Sequence, residues 1–277
     1  IVNEVAKGVV YSTIDLKSAY HQVPLRSADR PFTAFEANGA LYQFTRLPFG
    51  VTNGVAAFQR FIDSFIKEHR LAGTVAYLDD VTIYGRNQKE HDERLQAFLD
   101  ASKSASLTLN NDKCRFSVSE LSLLGHLVSH NKIRPDPAHL KPLLDMPVPH
   151  DSKSLKRCLG MFAYYSKWIP SFSDKVKPLN IGCEFPLQGN QLDSLERLRS
   201  DLLRACLSCI YDEEPFQVEC DASEVAIAAI LSQRGRPVAF MSHTLSKSEG
   251  NYTAVEKEAY AIIEAIRKWG YLLHRNV

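Results

Sequence analysis

No apolar run in this 277-residue chain approaches the roughly 20 residues that span a bilayer, so no transmembrane helix and no membrane partner are expected. Excess charge is also missing. The 33 Lys and Arg face 32 Asp and Glu, a formal +1, and the global balance marks neither a nucleic-acid nor a membrane-surface binder. Internal repeats and low-complexity tracts are absent, which removes the solenoid, fibrous and linker classes. The six cysteines (Cys114, Cys158, Cys183, Cys206, Cys209, Cys220) lack the spacing of a small disulfide scaffold, leaving reduced thiols as the expectation. Cys206 and Cys209 form a C-x-x-C at the end of an apparent helix. No second Cys or His pair follows at zinc-site spacing, so a zinc-dependent binding module fails for want of ligands. The start, IVNEVAKGVVYS, has no initiator Met, basic n-region or signal-like apolar core, and reads as the edge of a segment from a longer chain.

What is present is a folding composition, 45% hydrophobic and 23% charged, in a chain long enough for two or more compact units. Residues 9–15 (VVYSTID) read as a strand, and 31–49 as a hairpin turning at Asn38-Gly39. Apolar spacing over 55–70 predicts an amphipathic helix, followed by a hairpin around 74–85, a charged helix from Lys89, and strands at 114–118 and 123–129. Strand, helix, hairpin, helix, strand is the order of a ferredoxin-like α+β sheet. Pro135, Pro137, Pro142, Pro147 and Pro149 then break the chain into short pieces. Helices over 152–169 and in DSLERLRSDLLRACLSC precede a new β-unit from PFQVECDAS and a closing helix, EKEAYAIIEAIRKWGYLL.

In TVAYLDDVTIYG, two adjacent aspartates separate strands Val75–Leu78 and Val81–Tyr84, with Asp79-Asp80 as the expected two-residue turn. Asn-Gly or Asp-Gly would suit such a turn better, since glycine takes positive φ without strain. The pattern alone fits a plain hairpin. A chemical reading needs a third acid, and Asp15 supplies it: in a ferredoxin-like order the first strand lies beside the hairpin in mid-sheet. Three carboxylates held together there, with the turn at the sheet edge, favour bound divalent cations. Oxygen ligands suit Mg²⁺, which keeps waters and takes substrate phosphates. Two such ions, about 4 Å apart, can activate an attacking 3′-hydroxyl and stabilise leaving pyrophosphate.

Charge is concentrated further on. From Ser152 to Asn180, Lys153, Lys156, Arg157, Lys167, Lys175 and Lys177 face Asp174 alone, among Phe162, Tyr164, Tyr165 and Trp168. Basic side chains interleaved with aromatics suit a surface that tracks phosphates, and equally a solvated helix face over an aromatic core.

Taken in order, IDLKSAYHQVPL, LYQFTRLPFGVTNGVAAFQRF, AYLDDVTIYG, LLGHLVS and KSLKRCLGMFAYYSKWIPSFSDKVKPL resemble the Pol polyprotein of gypsy-like LTR retrotransposons, a reverse transcriptase followed by the start of its RNase H domain. The resemblance covers nearly the whole chain. It implies a right-hand polymerase: residues 1–134 as palm with partial fingers (hairpin about 21–46), 135–182 as thumb, 183–214 as a short connection, and 215–277 as a truncated RNase H-like α/β unit. It implies RNA-directed DNA polymerase activity with two Mg²⁺ ions (Mn²⁺ as substitute), acting on an RNA or DNA template with primer, dNTPs and RNA–DNA hybrid. Asp15, Asp79 and Asp80 match the metal-binding acids, and the Leu16 carbonyl an extra ligand. Tyr20 matches the steric gate against the nucleotide sugar, with core packing as its other role. Backbone amides of Lys17, Ser18 and Ala19 would cradle the triphosphate, and Pro48, Phe49 and Gly50 would line the nucleotide pocket. Leu124, Gly125 and His126 match the primer grip. Lys156, Gly160 and Tyr164, on one helix face, match the thumb surface that enters the minor groove, with Gly160 allowing close backbone approach.

Asn53-Gly54-Val55-Ala56 departs from the family's Asn-Ala-Pro-Ala, which puts the following helix start in question. Asp221 in VECDAS matches the first RNase H acid. Glu256 and Glu258 both flank an apolar stripe of Val255, Ala259, Ile262 and Ile266, so periodicity does not choose between them; the family pattern in KEAYAII picks Glu258. Asp221 and Glu258 would share one metal of a four-acid site. The other acids would lie beyond Val277, so this segment is expected not to cleave hybrids. The resemblance also implies protease and integrase regions in the same polyprotein, and an intracellular location in a cytoplasmic particle, with the nucleus as an alternative. A catalytically inactive nucleic-acid-binding remnant would have been favoured by loss of Asp15, Asp79 or Asp80; all three are present.

Overall fold

The computed structural model describes residues 1–180 and 183–273. The expected thumb limit at residue 182 and the end of the RNase H-like segment, 274–277, lie outside the described residues. Contacts divide the chain into two units, Ile1–Leu121 and Ser122–Val277.

In the first unit, a short α1 (Val2–Val5) leads into β1 (Val10–Asp15), whose β-branched and aromatic residues suit a pleated, half-buried surface. The hairpin β2 (Phe35–Ala37) and β3 (Ala40–Tyr42) turns at Asn38-Gly39, both at positive φ, as its sequence predicts. Next come α2 (Gly54–Glu68), β4 (Thr74–Tyr77), β5 (Asp80–Gly85), α3 (Gln88–Ser104) and β6 (Arg115–Val118). Without proline, α2 still starts at Gly54, with Asn53 giving no side-chain cap. The α3 start is secured by Asn87, which accepts from the Glu90 amide at 2.9 Å. The antiparallel sheet has the order β4-β5-β1-β6, so β1 and β5 are the central pair. Ile14, Val81 and Ile83 point to one face, where they pack with Phe58, Ile62 and Phe65 of α2 and Phe98 of α3. By alternation, Thr13 and Asp15 of β1 and Asp80 and Thr82 of β5 share the opposite face.

The second sheet has the order β10-β9-β8-β7, from β7 (Glu120–Leu123) at the division, β8 (His126–Ser129), β9 (Lys132–Pro135) and β10 (Leu207–Ser208). Between β9 and β10 lie α4 (Pro137–Leu144), α5 (Ser152–Tyr164), α6 (Phe172–Asn180) and α7 (Asn190–Arg204). Pro142 does not break the chain: it stands inside α4, near the C-terminal end, while Pro137 occupies the tolerant first turn. The helix predicted over 152–169 closes at Tyr164, and a 3-10 turn follows. Cys206 and Cys209 are not at a helix end either; α7 stops at Arg204 and the pair flanks β10, one exposed and one buried.

The last sheet, β11 (Gln217–Ala222), β12 (Ala226–Gln233) and β13 (Arg236–Thr244), is covered by α8 (Ala254–Leu273). Here the apolar stripe misleads. Val255, Ile262 and Ile266 are exposed, and α8 buries Lys257, Ala261, Ala265 and Trp269 instead. The alanines let the helix lie close to β11 and β12, and Lys257 reaches out of the contact to Glu224 at 3.1 Å. Among the described residues no helix is long and apolar enough to cross a membrane.

Candidate active site

Asp15 and Asp80 are direct partners in the β1–β5 ladder, on the face away from the helices. Asp79 is not paired in the ladder. The hairpin turn is Leu78-Asp79, one residue earlier than the sequence suggests, and Asp80 opens β5 opposite Tyr77. Leu78 takes the positive φ, 53°, that a tight hairpin needs. A leucine there is strained, and Gln59 of α2 holds it: its Oε1 accepts from the Leu78 amide at 2.8 Å, and its Nε2 donates to Ala76 O at 3.2 Å.

The three carboxylates disturb one another. Burial, then the charges of Asp80 and Asp15, push the Asp79 carboxyl above its ordinary range. Burial and Asp15 raise Asp80, opposed by the Lys113 ammonium. Lys113 Nζ lies 4.0 Å from Asp15 Oδ2. Asp79 Oδ1 is buried with no hydrogen-bond partner among the described residues. Among the described residues no three acidic, His or Cys side chains form a ready-made metal cage. Mg²⁺ needs none: it takes one or two carboxylates and completes its shell with waters and phosphates. An orphaned carboxylate oxygen beside a repelling pair of acids fits such an ion. The bridge Leu16↔Leu109 uses the carbonyls of Asp15 and Thr108, leaving the Leu16 carbonyl outside it.

Tyr20 stands in a 3-10 turn (Ala19–Gln22) just past the acids. Its ring lies 5.1 Å from Phe49 and 5.2 Å from Phe58, so it joins the Pro48-Phe49-Gly50 loop, in which Pro48 is buried and Phe49 exposed, to the α2 core. Ser18 adopts a left-handed conformation, φ 50°, which turns the chain into the 3-10 segment. The expected amide cradle is shorter than three. Lys17 N–H donates to Thr108 O at 3.0 Å, leaving the amides of Ser18 and Ala19, which give no backbone hydrogen bond among the described residues.

In the second unit, Leu124-Gly125 forms a tight turn with φ of 52° and 76°, followed by His126 at the start of β8. His126 Nδ1 is 2.8 Å from Leu124 O, and its ring packs 5.6 Å from Trp168. Burial lowers the imidazole pKa, with nearby Lys167 acting the same way. On α5, Leu155, Cys158 and Phe162 face inward, and Lys156, Gly160 and Tyr164 form one exposed face. A Cβ on Gly160 would meet nothing within 4 Å, so no close approach within this chain requires the glycine.

Glu256 is engaged in a capping box. Its Oε2 accepts from the Thr253 amide at 2.7 Å, while Thr253 Oγ1 accepts from the Glu256 amide at 3.3 Å. The T-x-x-E spacing was a readable signal for it. Burial, then the charge of the exposed Glu258, raises the Cys220 thiol pKa. Asp221, next to Cys220, is on the exposed side of β11. Sequence reasoning missed Gln59 and Lys113, because neither lies on a periodic pattern that links it to the acids.

Residues 1–128 match the reverse transcriptase (RNA-dependent DNA polymerase) family, and 188–277 the RNase H-like domain found in reverse transcriptase. The retrovirus-related Pol polyprotein from transposon 297 of Drosophila melanogaster is 33% identical over 100% of this chain and 27% of its own length. That from transposon gypsy of the same organism is 32% identical over 97% of this chain and 28% of its own. The chain thus spans about a quarter of these curated relatives. In fold, it is similar to the foamy viral protease-reverse transcriptase solved with double-stranded DNA, with a TM-score of 0.83 and 24% identity over 99% of this chain and 50% of that one. The same viral protein with an RNA/DNA hybrid gives a TM-score of 0.74, again at 24% identity, over 98% and 38%. Residues 1–128 thus match a reverse transcriptase and residues 188–277 its RNase H-like domain, and over its length the chain is similar to that part of the retrotransposon Pol polyproteins.

Proposed function

We propose that this segment carries the polymerase centre of its polyprotein and adds deoxynucleotides to a primer on an RNA or DNA template. The carrying observation is the Asp15–Asp80 ladder pair beside Asp79, whose buried Oδ1 has no partner among the described residues. Asp15, Asp79 and the Leu16 carbonyl would hold Mg²⁺, with Asp80 beside them. Bound there, the ions would stabilise charge on the reacting phosphate and lower the pKa of the attacking hydroxyl. The protein's own part is positioning. The Ser18 and Ala19 amides face a phosphate, and the Tyr20 ring, braced by Phe49 and Phe58, limits space at the sugar. The α5 face of Lys156, Gly160 and Tyr164 and the Leu124–His126 turn are the surfaces we assign to the primer–template.

An intracellular particle is the proposed setting, with protease and integrase regions in the same polyprotein.

The test is extension of a primer on poly(rA) by the enzyme within its parent chain. Asp15→Asn and Asp79→Asn should each cut Mg²⁺-dependent extension by about 10³-fold or more. Without metal, Asp79→Asn should melt no lower than wild type, because its charge is unfavourable there. Near-normal extension by either variant would overturn the assignment.

A further inference from the structure

Gln22 lies two residues past Tyr20, half-buried, and every hydrogen-bonding group of its carboxamide is used. Nε2 donates to Lys17 O at 2.6 Å and to Thr108 O at 2.9 Å. Oε1 accepts from the Thr108 amide at 2.8 Å. Its backbone carbonyl accepts from Arg46 Nη1 at 2.8 Å, in the segment entering the Pro48–Gly50 loop.

Two stretches therefore meet at one side chain, the turn carrying Ser18 and Ala19 and residues 107–114, while the same residue's backbone carbonyl ties in the approach to the Phe49 loop. The 107–114 stretch is strapped along the acid-bearing strand. Asn110 N–H donates to Asp15 O at 2.8 Å, Lys17 N–H donates to Thr108 O at 3.0 Å, and a tight turn closes with Lys113 N–H to Asn110 O at 3.0 Å. The strap ends with Lys113 beside Asp15.

We propose that Gln22 is a positioning residue of the nucleotide site, its carboxamide fastening the 107–114 strap and the Lys113 it carries to the Ser18–Ala19 turn beside Asp15. The inference rests on the polymerase reading for its consequence, but not for its geometry. No other side chain of similar length can serve. Glutamate keeps the acceptor toward the Thr108 amide but sets an oxygen against two carbonyls, and methionine keeps the length with no hydrogen bond.

The experiment compares wild type, Gln22→Met and Gln22→Glu in the full 277-residue chain and in the parent enzyme. Hydrogen exchange should accelerate about tenfold at the Lys17 and Asn110 amides in both variants, the size expected for one or two lost hydrogen bonds. Exchange in α2 around Phe58–Phe65 should not change. In the parent enzyme, KM for dTTP on poly(rA) should rise about tenfold while kcat at saturation changes by less than about threefold. Unchanged exchange, or acceleration spread evenly over the first unit, would make Gln22 an ordinary packing residue and overturn the proposal. So would accelerated exchange with KM unmoved. If wild type itself fails to extend primers, the polymerase reading falls, and the exchange comparison still decides whether Gln22 is the fastener.

Discussion

Tyr20 is packed on two sides. Phe58 supports its ring from the core side, and the exposed Phe49 contacts it from its loop. If the ring limits the sugar pocket, Tyr20→Val should raise ribonucleotide incorporation relative to deoxynucleotide by about tenfold to a hundredfold, with Mg²⁺ dependence intact. The ratio of kcat/KM for the two nucleotides decides it, and an unchanged ratio would leave Tyr20 as core alone. Leu78 marks the limit of residue-level reading. Two adjacent aspartates look like the turn, but the ladder puts Asp80 opposite Asp15 and moves the turn back by one. Gln59, 19 residues earlier in the chain, holds that leucine in place.

At the scale of elements, the α8 entry is fixed by charge as well as by its cap. Tyr260 donates to Glu249 Oε1 at 2.7 Å, and Ser246 N–H donates to Oε2 at 2.7 Å. These bonds lower the Glu249 pKa to about 2, and Glu249 in turn raises Tyr260 to about 12. A carboxyl with a depressed folded pKa stabilises fully above its unfolded value. The contribution fades as pH falls toward about 2, because the unfolded chain binds the proton first. Glu249→Gln should therefore melt lower than wild type at pH 7, and the gap should narrow between roughly pH 5 and pH 2. Melting curves followed by circular dichroism would show this, and parallel pH profiles would refute it. The same helix defeated its own periodicity. Its bulkier stripe is outside, since the sheet accepts Ala261 and Ala265 at close range.

Over the whole molecule, a near-neutral charge balance conceals local excess. Not all of the basic run is available, however, because Lys175 is bound by Asp201 at 2.6 Å. Lys156 is exposed on the α5 face. Lys156→Ala should weaken binding of a primer–template duplex without regard to its sequence, and reduce the salt slope of log K by about 1. Lys89→Ala, on α3 near Glu93, should leave the slope unchanged. Fluorescence anisotropy across a salt series measures both, and equal slopes for all three proteins would remove α5 from the duplex surface. The sequence by itself determined the element order of the first unit, its hairpin at Asn38-Gly39 and the presence of three acids, because periodicity and turn chemistry are local. Tertiary structure alone decided which acids face each other, which stripe of α8 is buried, and that Gln22, Gln59 and Lys113 attend the site. Those outcomes depend on ladder register and on contacts between residues far apart in the chain, which no local pattern records.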